Sequence, residues 1–100
     1  MISFRTQLSE KMTTSVLNTI RDAPKPTKVA EALAVVKQFP GIAITLEEIA
    51  EIKNIADPGN PEKSRASEYN SDEINKHPEM RVIKTPNETL VRYLGPQMRR

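Results

Sequence analysis

The sequence predicts an α+β fold, with helices first along the chain and a β-hairpin last. Three observations predict it. Apolar residues recur at every fourth position from residue 4 to residue 20, which is the spacing of one helical face. Residues 45–48 read Thr-Leu-Glu-Glu, a capping box that starts a helix. Near the end, two β-rich runs are joined by a turn.

The N-terminal helix is predicted over residues 3–22. Ser3 suits its N-cap, and the prolines at positions 24 and 26 end it. The apolar stripe of this helix comprises Phe4, Leu8, Met12, Val16 and Ile20. The stripe either folds back onto the core of its own chain or pairs with a second copy or a partner protein.

A second helix is predicted over residues 27–38, with Thr27 as its N-cap and a Pro-Gly pair at 40–41 as its stop. Because this helix is apolar over much of its circumference, we expect it at the centre of the core. Residues 42–44 are expected to be extended and to add a strand to the hairpin.

The third helix has the clearest local sequence signal, at its start. Thr45 caps it, Glu48 completes the capping box, and the helix is expected to end near Ile55. Residues 62–76 are predominantly polar and are expected to form a fourth helix with a thin buried edge. An alternative is two short helices, with Ser71 capping the second. The core candidates of this segment are Ala66, Tyr69 and Ile74.

The C-terminal hairpin pairs residues 80–84 with residues 89–94 across a type I turn at 85–88. A lone hairpin is marginal in water, so we expect it to pack on the helices. Residues 95–100 are expected to form a flexible basic tail.

Composition excludes several kinds of site. The chain has 100 residues with no cysteine, one histidine and three glycines, and only 4% of its residues are aromatic. Disulfides, thiol catalysis, zinc fingers and iron–sulfur clusters are therefore excluded, and no glycine-rich phosphate loop is present. A single domain of this size has a modest, aliphatic core, which argues against an enzyme. No cofactor and no metal site are predicted.

The formal net charge of +2 is unevenly distributed. Residues 1–26 and 61–100 each carry +2, whereas residues 27–60 carry −2. This division keeps nucleic acid and protein partners both in consideration. No apolar run approaches the ~20 residues that span a bilayer, and the N-terminus lacks a secretory signal. We expect no membrane contact and a cytoplasmic protein, or a nuclear one in a eukaryote.

The order of elements from residue 27 onward resembles the winged helix-turn-helix superfamily. The resemblance rests on the helix ending in Phe-Pro-Gly at 39–41, the run at 42–50, the polar segment and the entry to the hairpin at 75–83. Residues 77–93 are similar in style to the winged helices of the beta subunit of the general transcription factor IIE. The resemblance implies three helices and a wing over residues 27–94, preceded by an extra helix and linker over 1–26.

Winged helices often bind DNA with the third helix in the major groove and the wing near the backbone. The resemblance therefore implies a small DNA-binding or transcription-associated regulator without catalytic activity. The side chains that it places toward double-stranded DNA are those of Lys63, Arg65, Ser67, Asn70, Arg81, Lys84 and Arg92. Four acidic residues on the same polar segment oppose this interpretation, namely Glu62, Glu68, Asp72 and Glu73.

An alternative function is a protein–protein interaction module that binds no nucleic acid and serves as an adaptor or inhibitor of a larger complex, such as a host complex. The nearly balanced charge favours this alternative. Many winged-helix proteins dimerise through an added terminal helix, so the resemblance also implies a homodimer with the stripe from Phe4 to Ile20 at its seam.

Two further features have simpler interpretations than catalysis. His77 would need an orienting partner and a pocket to act as a base, so a loop histidine at a helix end is favoured. The acidic side chains of Glu47, Glu48 and Glu51 resemble a metal-binding set. The capping box explains Glu48, and the other two suit the solvated start of a helix.

Overall fold

Helices and a small antiparallel sheet build an α+β fold, as predicted. The computed structural model describes residues 10–22 and 27–95. Within these ranges the α-helices are α1 (Glu10–Asp22), α2 (Lys28–Val36), α3 (Leu46–Ala56) and α4 (Ser71–Asn75), with a 3-10 helix at Ala66–Glu68. The strands are β1 (Ile44–Thr45), β2 (Met80–Lys84) and β3 (Thr89–Tyr93).

Local hydrogen bonds fix the starts of the two central helices. The Thr27 hydroxyl accepts a hydrogen bond from the amide of Ala30 at 3.2 Å. The Thr45 hydroxyl accepts one from the Glu48 amide at 3.1 Å, and the Glu48 carboxylate accepts one from the Thr45 amide at 2.9 Å. The predicted capping box is confirmed, and it satisfies amides at the helix start that have no partner within the helix.

The sheet has the strand order β1-β3-β2, and all its pairs are antiparallel. The hairpin register runs from Met80 opposite Tyr93 to Lys84 opposite Thr89. The expected third strand is present, but it comprises Ile44–Thr45 rather than residues 42–44. Ile42 lies outside it and is 52% exposed.

Strand β2 forms one edge of the sheet. Two of its amides nevertheless have partners away from β3. The Val82 amide donates to the Asn75 side-chain oxygen at 3.0 Å, and the Met80 amide donates to the His77 carbonyl at 3.3 Å. The short helix α4 and the turn after it are thereby fastened to the edge of the sheet.

The core is aliphatic, as the composition predicts. Among the residues that the structure describes, two aromatic side chains are buried in it, those of Phe39 and Tyr69, and Tyr93 packs against it. Helix α2 lies at its centre, because four of its nine residues are buried. The largest fully buried side chains come from all the layers of the fold and are Ile44, Ile49, Ile52, Ile74, Val16, Val35, Val36 and Val91.

The apolar stripe of α1 packs against this core wherever the structure describes it. Val16 has no exposed surface, and Met12 and Ile20 are half-buried against the core cluster. Phe4 and Leu8 lie outside the described residues. Of the two alternatives for the stripe, the described part therefore follows the first, packing within its own chain. Val16 itself has no exposed surface, and the pairing of the stripe with a second copy stays a prediction.

The prediction of a continuous helix over residues 62–76 is wrong. Residues 63–65 are not helical, the 3-10 helix spans three residues and α4 spans five. Polar side chains bond the backbone here in place of helical hydrogen bonds. The Asn70 side-chain oxygen accepts from the amides of Asp72 and Glu73 at 2.9 and 3.1 Å. Asn70, and not Ser71, is thus the N-cap of α4.

Candidate functional site

A polar cluster joins α2 to the segment that precedes α4. Its centre is Oε1 of Glu31, whose side chain is only 12% exposed. This atom accepts hydrogen bonds from the Tyr69 hydroxyl at 3.0 Å, the Ser64 hydroxyl at 3.2 Å and the Lys28 ammonium at 3.4 Å. Three donors thus converge on one carboxylate oxygen and stabilise its negative charge.

The Lys28 ammonium connects the cluster to a second carboxylate. Its nitrogen lies 3.1 Å from Oε1 of Glu68 and 3.1 Å from the Ser64 hydroxyl. Burial on its own would lower the pKa of Lys28, but the hydrogen bonds and charges of Glu68 and Glu31 outweigh it and raise the pKa. The same hydrogen bond from Lys28, with one from the Arg65 amide, lowers the pKa of Glu68.

The protonation of the cluster limits its chemistry. Burial, followed by the negative charge of Glu31, raises the pKa of the Tyr69 phenol. Tyr69 is therefore a hydrogen-bond donor at neutral pH, and Lys28 is a cation. The Ser64 hydroxyl donates to the Glu31 carboxylate and accepts from the Lys28 ammonium, so these two contacts fix the position of Ser64.

A reciprocal pair of hydrogen bonds holds Ser64 to α3. The Ser64 amide donates to the Asn54 side-chain oxygen at 2.9 Å, and the Asn54 amide group donates to the Ser64 carbonyl at 3.0 Å. Ser64 is therefore buried although its neighbours Lys63 and Arg65 are exposed. These long-range contacts explain why the segment is not helical, because they bond its backbone to α3.

A cleft of about 530 Å³ opens beside the polar cluster, between α2, α3 and the loop that follows α3. We call it the loop cleft. Its lining carries four basic and three acidic side chains. The basic ones are Lys28, Lys53, Lys63 and Arg65, and the acidic ones are Glu31, Glu62 and Glu68.

Two of the residues assigned to nucleic acid border the loop cleft. The Lys63 ammonium donates to the Pro58 carbonyl at 3.2 Å, and Arg65 is exposed. Ser67 lies instead in a depression shared with the hairpin turn. The side-chain oxygen of Asn70 is occupied by the cap of α4. The structure therefore does not place these four side chains along one exposed helical face.

The remaining assigned residues lie on the hairpin. Side chains alternate across a sheet, and Met80, Val82, Val91 and Tyr93 belong to the core or pack against it. The opposite side of the hairpin, which we call the outer face, carries the residues Arg81, Ile83, Leu90, Arg92 and Leu94.

Arg81 lies directly opposite Arg92 on the outer face, and both are exposed. Neither guanidinium has a hydrogen bond or an ion pair with any described residue. Ile83 lies opposite Leu90, and Leu94 just beyond β3 is 46% exposed. The outer face thus has a pair of arginines between aliphatic side chains. Lys84 ends β2, is exposed and points to the other side of the hairpin.

Other candidate residues have local partners. The Nδ1 atom of His77 accepts a hydrogen bond from the Glu79 amide at 3.1 Å, so this ring nitrogen stabilises the turn into β2. Glu48 belongs to the capping box. Across residues 10–22 and 27–95, no group of three His, Asp or Glu side chains is arranged to hold a metal ion. No helix in the same ranges has the length and apolar character to cross a bilayer.

Sequence reasoning missed the polar cluster and Lys53. The Lys28–Glu31 pair has the i,i+3 spacing of a helical ion pair, but this spacing is common on solvated helices. Lys53 had a stronger signal. It stands four residues after Ile49 and three before Ala56, so it shares a helical face with two core residues.

Comparison of the chain with models of protein families, with curated proteins and with solved structures finds no match.

Proposed function

We propose that the protein is a binding module that docks a partner protein on the outer face of its hairpin. The observation that carries the proposal is the opposed pair Arg81 and Arg92, exposed and without a partner among the described residues. Like charges directly opposite each other in a sheet are destabilising, and an acidic ligand would neutralise them.

The surroundings of the arginine pair favour protein over nucleic acid as the ligand. Ile83 and Leu90 on one side and Leu94 on the other are aliphatic, and phosphates cannot cover them. An acidic segment with aliphatic side chains matches both features, because its carboxylates can meet the guanidinium groups while its apolar groups cover the aliphatic residues.

The winged-helix arrangement remains our proposal for the finer fold. The strand order and the succession from α2 through β1, α3 and α4 to the hairpin support it. DNA binding through the third helix of the winged-helix arrangement, which corresponds to α4, is less well supported. Helix α4 has only five residues, and its first turn carries the exposed Asp72 and Glu73, which would repel a phosphate backbone.

The experiment selects twelve-residue peptides from a random library on the immobilised protein and maps the binders by amide NMR shifts. We expect acidic peptides with aliphatic residues, and shifts at residues 81–83 and 90–94. The variant Arg81→Glu, Arg92→Glu should lose binding. The matched control Lys11→Glu, Lys37→Glu makes the same charge change at exposed residues elsewhere and should keep it. Equal loss in both variants, or shifts confined to another surface, would refute the proposal.

Nucleic acid is the second candidate, because three basic residues of the hairpin, Arg81, Lys84 and Arg92, are exposed. Binding to random duplex DNA in a salt series tests it, since phosphate contacts lose affinity steeply as salt rises. Absence of binding at ~50 mM salt would exclude this candidate. If DNA is the ligand, Lys63→Glu, Arg65→Glu should also reduce binding, as the winged-helix arrangement requires.

A further inference from the structure

Lys53 is a buried lysine whose ammonium group has no partner among residues 10–22 and 27–95. It projects from α3, and only 4% of its surface is exposed. Lysine is rarely buried to this extent unless its ammonium group is paired. Its carbonyl accepts a backbone hydrogen bond from the Asp57 amide, but neither a hydrogen bond nor an ion pair joins the Lys53 ammonium to any of the described residues.

The Lys53 ammonium must reach the loop cleft. Every fully buried side-chain nitrogen or oxygen atom of the described residues has a hydrogen-bond partner. The Lys53 nitrogen has none, so it is not sealed inside the core. Lys53 lines the loop cleft, which is therefore the route by which its nitrogen meets solvent or a ligand.

The other charges of the loop cleft leave a surplus of unpaired cations. Glu31 and Glu68 are both held by Lys28, at 3.4 and 3.1 Å. The Arg65 side chain, like that of Lys53, makes no hydrogen bond or ion pair with a described residue, and its charge acts on the Glu68 carboxylate without direct contact. Of the three acidic residues that line the cleft, Glu62 makes no ion pair with Lys28. Two cations with free donors thus share the cleft with one free carboxylate.

We infer that the loop cleft binds a phosphate group, either free or as the monoester of a small molecule. Lys53 would supply a buried point charge, and the Arg65 guanidinium at the mouth would supply two parallel donors. Lys63 has further donors besides the one used by Pro58. The cleft of about 530 Å³ is large enough for a ligand bigger than phosphate itself.

A phosphate suits these cations better than a carboxylate does. It carries up to two negative charges near neutral pH and offers three terminal oxygens as acceptors. A carboxylate brings one charge and two oxygens. The site shares no residue with the outer face, so a test of phosphate binding is independent of the test of partner docking.

The test titrates the full chain with inorganic phosphate at constant ionic strength, followed by amide NMR shifts and by the thermal unfolding midpoint. We expect saturable shifts at residues 53 and 60–68, with a Kd of about 1 mM or tighter, and a raised midpoint. A nucleoside monophosphate in a second arm distinguishes the sources. Binding at least tenfold tighter than phosphate assigns a small-molecule monoester, and equal binding assigns free phosphate.

Variants decide whether Lys53 carries the binding. Lys53→Met keeps the buried methylene groups and removes the charge, so it should fold and lose phosphate binding. The matched control Lys37→Met makes the same change at an exposed lysine outside the cleft and should bind like the parent. Arg65→Gln should weaken binding about tenfold.

Several results would overturn the inference. These are the absence of saturable shifts in the parent chain, unchanged binding in Lys53→Met, or acetate binding as tightly as phosphate. If Lys53→Met fails to fold, Arg65→Gln decides, because Arg65 is exposed and its replacement leaves the core intact. Loss of affinity in that variant supports the site, and unchanged affinity refutes it.

Discussion

The Tyr69 hydroxyl donates a 3.0 Å hydrogen bond to Glu31, 38 residues earlier in the chain. Through it, the last residue before the cap of α4 is tied to the middle of α2. The Lys28 ammonium lies 5.6 Å from the centre of the Tyr69 ring, so the same lysine that bonds Glu31 also faces the aromatic ring. Removal of the carboxylate should therefore affect three donors together.

We expect Glu31→Leu to lower the free energy of unfolding by about 3 kcal/mol, because it leaves the buried hydroxyls of Ser64 and Tyr69 without their acceptor. Tyr69→Phe removes a single donor and should cost about 1 kcal/mol. Urea unfolding measures both. The control is Glu47→Leu, which replaces an exposed carboxylate of α3. Equal effects at positions 31 and 47 would show that the polar cluster does not stabilise the fold.

The alkaline limb of the stability curve should depend on Tyr69. Its pKa is raised in the folded protein above the ordinary 10.0, so the unfolded chain loses this proton first. The contribution of Tyr69 to the free energy of unfolding is therefore fully present below about pH 10. At higher pH it falls by up to about 1.4 kcal/mol per pH unit. The raised pKa of Lys28 acts in the same direction. Urea unfolding at several pH values should give a flatter alkaline limb for Tyr69→Phe, and an unchanged limb would contradict the assignment.

The cross-strand arginines should destabilise the unliganded protein. Replacing one of them, in Arg92→Glu, converts repulsion into attraction and should raise the free energy of unfolding by about 0.5 kcal/mol at low salt. The double variant Arg81→Glu, Arg92→Glu again places like charges opposite each other, so its free energy of unfolding should return to that of the parent. A double-mutant cycle with a salt series measures the coupling. A coupling of zero would show that the two side chains do not interact.

Helix α1 should behave as part of the core. Val16→Ala removes two buried methyl groups and should cost about 2 kcal/mol, with no change of mass in solution by light scattering. Thr14→Ala alters an exposed position of the same helix and serves as control. Met12→Asp extends the test to a half-buried position. If it converts a dimer to a monomer without loss of stability, the stripe is a seam between copies after all.

Local signals predicted much of this fold, and long-range polar contacts account for the rest. The predictions of the Thr45–Glu48 capping box and of the bounds 80–84 of β2 were correct, because residues close in sequence determine both features. The continuous helix predicted for the polar segment was wrong because Asn54, ten residues earlier, bonds the backbone of Ser64. The alternative of two short helices was correct, with Asn70 and not Ser71 as the cap of the second. The hairpin arginines were singled out from the winged-helix resemblance, but their direct opposition requires the strand register. Lys53 was overlooked because a lysine near a helix end suits the helix dipole equally well.

The Asn75 side chain has a consequence for assembly. It occupies the outward amide of Val82, and the His77 carbonyl occupies that of Met80. A foreign strand approaching this side of β2 therefore finds two of its outward donors, the amides of Met80 and Val82, already engaged, which discourages edge-to-edge aggregation. Strand addition along this part of β2 is therefore disfavoured, whereas Arg81 and Arg92 on the outer face are exposed. The ligand that we propose for the outer face would therefore lie across the sheet instead of extending it.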